Sequence, residues 1–445
     1  MKRILSLFIS TKTTLVLLFL FGAACSWGTF LENDYGTPAA KAFIYGAWWF
    51  ELIMALLALN FIFNIKQFNL LRKEKRSLLL FHLGFIVTLI GAFVSRYTGF
   101  EGMLDIREGH AKDYILSEQS YITVQTPLGQ ITEQIKPTAL TNPDFTIALG
   151  NGAEAVVVSS VEFISAAEEA IVAGAEHILN IVVAEGNQRQ SYFLSQGKTI
   201  STAHGVIGFD ADELADVSIE EHNGTLFIAS NQSLEFLEMA TQLAGSSKAD
   251  SLTALKLAAL YQTGSLNFVV KAEFKDAKLT YKTSEDRKLR KQLPGKLRIN
   301  IAHNGQNKEL VLDYRNGSTV YKKVLVAGTE VEILVGPKKI PLGFAIALKD
   351  FELIRYPGST SPSSYSSFIE VQDGSSTFPF HIYMNNVLDY KGFRFFQASY
   401  DEDELGTVLS VNHDWWGTWI TYLGYFMLGI GMMWSLFAKN SRFSF

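Results

Sequence analysis

Cysteine is nearly absent from this sequence: one residue, Cys25, in 445. A single thiol forms no internal disulfide, no CxxC redox pair and no multi-cysteine metal site, so thiol–disulfide chemistry is excluded as the chain's own activity. An excess of positive charge is missing too. The formal net charge is −5, which gives no support to nucleic-acid binding, where a basic patch is expected. Neither a sequence repeat nor a glycine-rich nucleotide loop stands out. No Ser/His/Asp triad or metal-ligand cluster rises above the scatter of polar residues.

Long apolar runs are what the chain has. Hydrophobic residues make up 48% of it and the mean hydropathy is +0.14, values that point to membrane segments. Four spans are predicted, at about 13–27, 47–65, 78–94 and 415–437. The first follows Lys12, and its Gly22-Ala-Ala-Cys25 faintly resembles a lipoprotein cleavage site. Gly22, however, stands where a large aliphatic residue is expected, and a second span follows closely. An uncleaved helix with Cys25 as a small packing residue is therefore predicted. Trp48-Trp49 opens the second span, and Trp415, Trp416 and Trp419 open the fourth, as interfacial anchors do. Glu51 lies just inside the second span, within snorkelling reach of the headgroups.

Positive charge sets the expected orientation. Lys2, Arg3 and Lys12 precede the first span; Lys66, Arg72, Lys73, Lys75 and Arg76 separate the second from the third; Lys439 and Arg442 follow the fourth. The loop between spans one and two has only Lys41, against Glu32 and Asp34. Both termini are thus expected inside and residues 96–414 outside. That outer region reads mainly as β, through runs such as 121–125, 155–159, 178–183, 297–301, 331–335 and 344–348. Residues 180–193 read as a hairpin about a Gly-Asn turn. Apolar residues at helical spacing in 234–244 and 252–261 predict a helical insert over about 233–262, and Ser-rich 357–367 reads as a surface loop. The fold class expected is thus an integral membrane protein of four helices with a large, mainly-β extracytoplasmic domain carrying that insert.

His82 is the one ionisable group well inside a span, near its Lys73–Arg76 end. Polar groups at that depth face a partner, a cavity or a ligand. Its imidazole is a good iron ligand, or it bonds a neighbouring helix's carbonyl or hydroxyl; the residues alone leave both open. His110, His177, His204, His222, His303 and His381 are scattered and read as surface or satisfied-core residues. His413 differs in preceding the fourth span directly, where a cofactor contact competes with an ordinary interfacial role.

Several motifs, in order, resemble the ResB (also called CcsB) family of cytochrome c biogenesis. They are Gly28-Thr-Phe-Leu-Glu-Asn33, Trp48-Trp-Phe50, the Phe81-His-Leu-Gly84 block with Gly91-Ala, residues 99–109, residues 384–400, and Gly406-Thr-Val-Leu-Ser-Val-Asn412. The resemblance frames the chain, while the middle matches only in general character. It implies a subunit of system II, which works with a CcsA-like membrane protein to move haem across the inner membrane and present it for attachment to apocytochrome c. His82 then matches the histidine thought to be one axial ligand of a transient b-type haem, with the second ligand from the partner; His413 is the weaker candidate. The family's WWD haem-handling motif belongs to the partner and is absent here, so the chain is non-catalytic alone or part of a holocytochrome c synthetase. The competing expectation is a membrane-anchored scaffold or sensor with a β-rich binding domain and no cofactor. Membrane lipids are the other expected contact, and nucleic acid is not expected.

Overall fold

The computed structural model describes residues 10–186 and 188–437. Lys2, Arg3, Lys439 and Arg442, which entered the charge argument, lie outside the described residues. Four helices are long and apolar enough to cross a bilayer: α1 (Thr11–Tyr35), α2 (Trp48–Gln67), α3 (Arg76–Thr98) and α4 (Trp415–Phe437). Many of their large apolar side chains point outward, among them Leu15, Phe19, Phe30, Phe93 and Phe426, as lipid contact requires. The first span is longer than its apolar run suggested. Ser10 caps it by accepting the Lys12 N–H, and it runs through Gly28–Asn33 until Gly36, at φ +84°, ends it. At about 1.5 Å per residue its 25 residues reach about 37 Å, beyond a bilayer core of about 30 Å. A one-turn helix (Thr37–Ala40) and a π-helical turn (Lys41–Tyr45) lead into α2. Cys25 packs in an apolar cluster with Ala24, Ile44 and Phe50.

Glycine decides how α3 meets α4. Ser77, Gly84 and Gly91 on α3, and Gly417, Gly424 and Gly431 on α4, are buried and each spaced by seven residues. Small residues on both faces let two backbones approach closely. A Cβ added at Gly91 would lie 2.7 Å from the Thr421 nitrogen, and one at Gly431 equally close to the Phe81 nitrogen.

The chain forms two compact units, residues 1–166 with 287–445, and 167–286. In the first, a ten-stranded sheet is built largely on one 27-residue strand, Thr329–Arg355. Val331, Ile333 and Val335 of that strand join a core with Ile122, Val158 and Ile299; Ile346, Leu348 and Phe351 join a second core with Leu104, Phe395 and Val411. Strand Phe100–Arg107 leaves α3 directly, and strand Gly406–His413 runs directly into α4. The two pair antiparallel from Phe100↔His413 to Arg107↔Gly406, so the sheet is fastened to the α3–α4 pair at the helix ends.

The second unit is also β throughout. A six-stranded and a five-stranded sheet bury Leu179, Ile181, Phe209, Tyr261 and Phe268 in one core. Strands Ala167–Glu185 and Gln188–Ser195 form the expected hairpin. The helical insert over 233–262 is not there. Leu234–Glu238 and Ala259–Thr263 are antiparallel strands, the latter paired to Leu266–Thr283. The buried positions, Leu234 and then Ala259, Tyr261 and Thr263, follow period two where a pair exists to test. Leu237, Met239, Leu243, Leu252 and Leu257, which made the helical spacing, are exposed. Sheet pairing across the unit overrides the local pattern. The Ser-rich loop is shorter than expected too, because strand Pro362–Asp373 begins within it and pairs with Thr329–Arg355.

Candidate functional site

His82 lies on α3, half-buried against α2. Its Nδ1–H donates to the Leu78 carbonyl at 2.9 Å, one turn back on its own helix rather than on a neighbour. A carbonyl only accepts, so this bond puts a proton on Nδ1. Among the described residues nothing hydrogen-bonds Nε2. The ring meets Phe61 of α2 edge-on at 5.6 Å, and Phe61 stacks on Phe85 at 4.8 Å. These contacts fix the imidazole plane, and the Leu78 bond fixes its tautomer. The result is a pre-oriented nitrogen base inside an apolar helix layer.

One turn and more around Phe61, a polar cluster missed in the sequence reading joins α1 to α2. The Thr14 hydroxyl donates to Asn60 Oδ1 at 2.6 Å, and Asn64 Nδ2 donates to the same oxygen at 2.9 Å. All three side chains are buried, and Asn64 Oδ1 has no hydrogen-bond partner among the described residues. The i, i+4 asparagine pair inside an apolar span was the available signal.

At the opposite ends of α2 and α3 the polar groups are satisfied. Glu51 does not snorkel; it pairs with Arg96 Nε at 2.7 Å and accepts from the Tyr97 hydroxyl, while the Arg96 Nη atoms hold the carbonyls of Tyr45 and Gly46. Asp414 caps α4 by accepting the Gly417 N–H, and it also accepts the Ser95 hydroxyl of α3. Lys41 bridges Glu101 and Glu118. Burial opposes its charge, yet the two carboxylates outweigh it and raise the Lys41 pKa. Burial likewise disfavours the Glu101 carboxylate, and Lys41 overcomes this to hold it below its usual range. These groups line a cavity of about 600 Å³ beside Ser120, Tyr314 and Asn412.

His413 stacks on Phe100 at 4.7 Å and tilts against Phe393 at 4.6 Å. It lines a separate cavity of about 350 Å³ with Thr98, Gly392, Asp414, Trp415 and Trp416. The structure does not bring His82 and His413 together. Sixteen residues of α3 separate His82 from Thr98, about 24 Å of helix. The remaining outer histidines are mostly engaged: His177 between Glu221 and Glu273 at 3.0 and 2.8 Å, His303 with Thr329, His381 stacked on Phe368. No group of three or more His, Cys, Asp or Glu able to hold a metal ion occurs among the described residues. Lys391 pairs with Asp373 and Arg394 with Asp389, so neither cation is free for an anionic ligand.

Residues 303–413 match the model of the ResB-like family. Over 443 residues, 99% of this chain, it is 29% identical to a protein of Wolinella succinogenes described as protein NrfI. The chain spans about a third of that relative, 36% of its length.

Proposed function

We propose that this chain is a membrane subunit of cytochrome c biogenesis that takes part in carrying haem across the membrane and presenting it for attachment to apocytochrome c. The single observation that carries the reading is the setting of His82: Nδ1–H is held by the Leu78 carbonyl, and Nε2 has no hydrogen-bond partner among the described residues of an apolar helix. Imidazole bound through Nε2 with Nδ1–H on a carbonyl is the usual arrangement of a metal-ligating histidine. Haem is cargo here, and its iron accepts one nitrogen from each face, so His82 is half of a site whose second imidazole comes from a CcsA-like partner. The inner membrane is the location that fits. Lys66, Arg72, Lys73, Lys75 and Arg76 support a cytoplasmic loop between α2 and α3; in this reading His82 lies near the side where haem enters and the β units on the outer side.

The chain's own residues bind and orient. Leu78 holds the proton on Nδ1, Phe61 and Phe81 hold the ring plane, and the glycine seam between α3 and α4 keeps that helix in place. The test is haem content of the complex purified with its CcsA-like partner. Retention of haem in wild type with a diminished Soret band in His82→Ala supports the reading. Unchanged haem in His82→Ala, or a complex that brings down a partner and no haem, overturns it, the latter in favour of a scaffold.

A further inference from the structure

We propose that the second unit contains a proton-operated clamp between its two sheets, centred on His177. The inference stands apart from the haem reading. His177 belongs to strand Ala167–Glu185 of the six-stranded sheet, and it is buried, 9% exposed. Its Nδ1 meets Glu221 Oε2 at 3.0 Å, on strand Val217–His222 of the five-stranded sheet. Its Nε2 meets Glu273 Oε1 at 2.8 Å, on strand Leu266–Thr283 of its own sheet. Phe209, from the five-stranded sheet, meets the ring edge-on at 4.9 Å. One side chain thus ties both sheets together beside the core they share.

The charges close into a ring. Lys275 shares a face of its strand with Glu273, two residues away, and its Nζ lies 3.2 Å from Glu273 and 3.7 Å from Glu221. Imidazole, carboxylate, ammonium and carboxylate therefore alternate round a closed circuit. Ionised carboxylates only accept, so both ring nitrogens must donate, and that takes an imidazolium. The circuit then holds two positive and two negative charges. A neutral ring has one N–H: it turns a lone pair toward one carboxylate and leaves a net negative charge in a largely buried place. The nearby charged groups are occupied elsewhere. Asp210 accepts the Gln196 amide and the Glu221 N–H, Glu176 accepts the Ser195 hydroxyl, and His222 pairs with Glu220. None of them supplies the missing donor. A β-bulge between Phe274 and Ala277 lies beside the circuit, where the strand already departs from its ladder. Loss of the proton from His177 loosens the junction between the sheets, and protonation closes it.

The test is amide hydrogen exchange, followed by mass spectrometry on the full chain in detergent between about pH 5 and pH 8, where histidine ordinarily changes charge. Rates are corrected for the intrinsic dependence of exchange on pH. Peptides covering 205–222 and 266–283 are expected to lose protection by about tenfold or more as pH rises across that range, the effect of one lost hydrogen bond to a charged group. His177→Gln, whose amide carries no titrating charge, is expected to abolish this step. Glu221→Gln is the second variant. A neutral imidazole then donates to Glu273 and accepts from the introduced amide, so protection becomes flat with pH; this variant decides the matter if His177→Gln fails to fold. His222→Gln removes the exposed neighbouring histidine and should keep the step. A step of wild-type size in His177→Gln or in Glu221→Gln overturns the inference. Flat protection in the wild type overturns it too, as does a step that disappears in His222→Gln.

Discussion

Substituting Gly424 with alanine gives a sharp test of how α3 and α4 are joined. A Cβ at Gly424 lies 2.7 Å from the Thr88 nitrogen and 3.0 Å from the Gly84 oxygen. That is about 0.7 Å short of ordinary contact, and the obstacle is backbone, which does not rotate away. The helices must separate, at an overpacking cost of about 1–3 kcal/mol, offset by the gain of about 1 kcal/mol when glycine becomes alanine in a helix. A net loss of up to about 2 kcal/mol is expected, and a larger one for Gly424→Val. Gly91→Ala should cost the same, and the double variant less than twice as much, because one separation relieves both sites. Gly22 and Gly429 meet nothing within 4 Å, so Gly22→Ala and Gly429→Ala serve as controls with no loss. The assay is unfolding in detergent followed by circular dichroism, with the double-mutant cycle across α3 and α4. Wild-type stability in Gly424→Val, or equal losses at Gly424 and Gly429, refutes the close-packed seam.

Asn60→Leu should cost about 1–2 kcal/mol, because it removes the acceptor shared by the Thr14 hydroxyl and the Asn64 amide and leaves them only the longer contacts to the Ser10 carbonyl and to each other; thermal unfolding of Asn60→Leu against the double variant Asn60→Leu/Thr14→Val checks it, since removing the Thr14 hydroxyl as well should recover part of the loss. The Lys41 bridge should make stability depend on pH at both extremes. The lowered Glu101 pKa gives stability that is present above the unfolded carboxylate value of about 4.3 and is lost as pH falls through the folded one. The raised Lys41 pKa gives stability that is present below about 10.4 and is lost as pH rises through the folded value. The difference between wild type and Lys41→Met should therefore be widest near neutrality and shrink as pH falls through the lowered Glu101 value or rises through the raised Lys41 value; a difference constant with pH contradicts this. Arg96→Gln leaves Glu51 without its cation and the Tyr45 and Gly46 carbonyls without donors, and a loss of about 1–3 kcal/mol is expected in the same unfolding assay.

The helices were legible because long apolar runs have few alternatives, and their ends were misjudged only where polar turns such as Gly28–Asn33 continue α1. Strands such as Leu297–Ile301 and Val331–Val335 announced themselves by alternation. The segment 233–262 misled because short apolar clusters fit both periods, and pairing with strands outside it, Thr225–Ser230 and Leu266–Thr283, decides the matter. The glycine spacing of seven was written in the sequence, but its meaning depends on α3 and α4 being neighbours, more than 300 residues apart. His82 was legible as an ionisable group in an apolar run. The His413 cavity was not, since Phe100, Gly392 and Trp415 converge only when strands Phe100–Arg107 and Gly406–His413 of the ten-stranded sheet pair.

Coordination by His82 is tested most directly by exchanging the ligand rather than deleting it. His82→Met in the complex with its partner, followed by potentiometric titration, compares an imidazole with a thioether on the same iron. Thioether ligation raises the potential of a haem. A clear upward shift of the midpoint with haem stoichiometry retained is the predicted result. An unchanged midpoint and an unchanged Soret band would show that His82 is not on the iron.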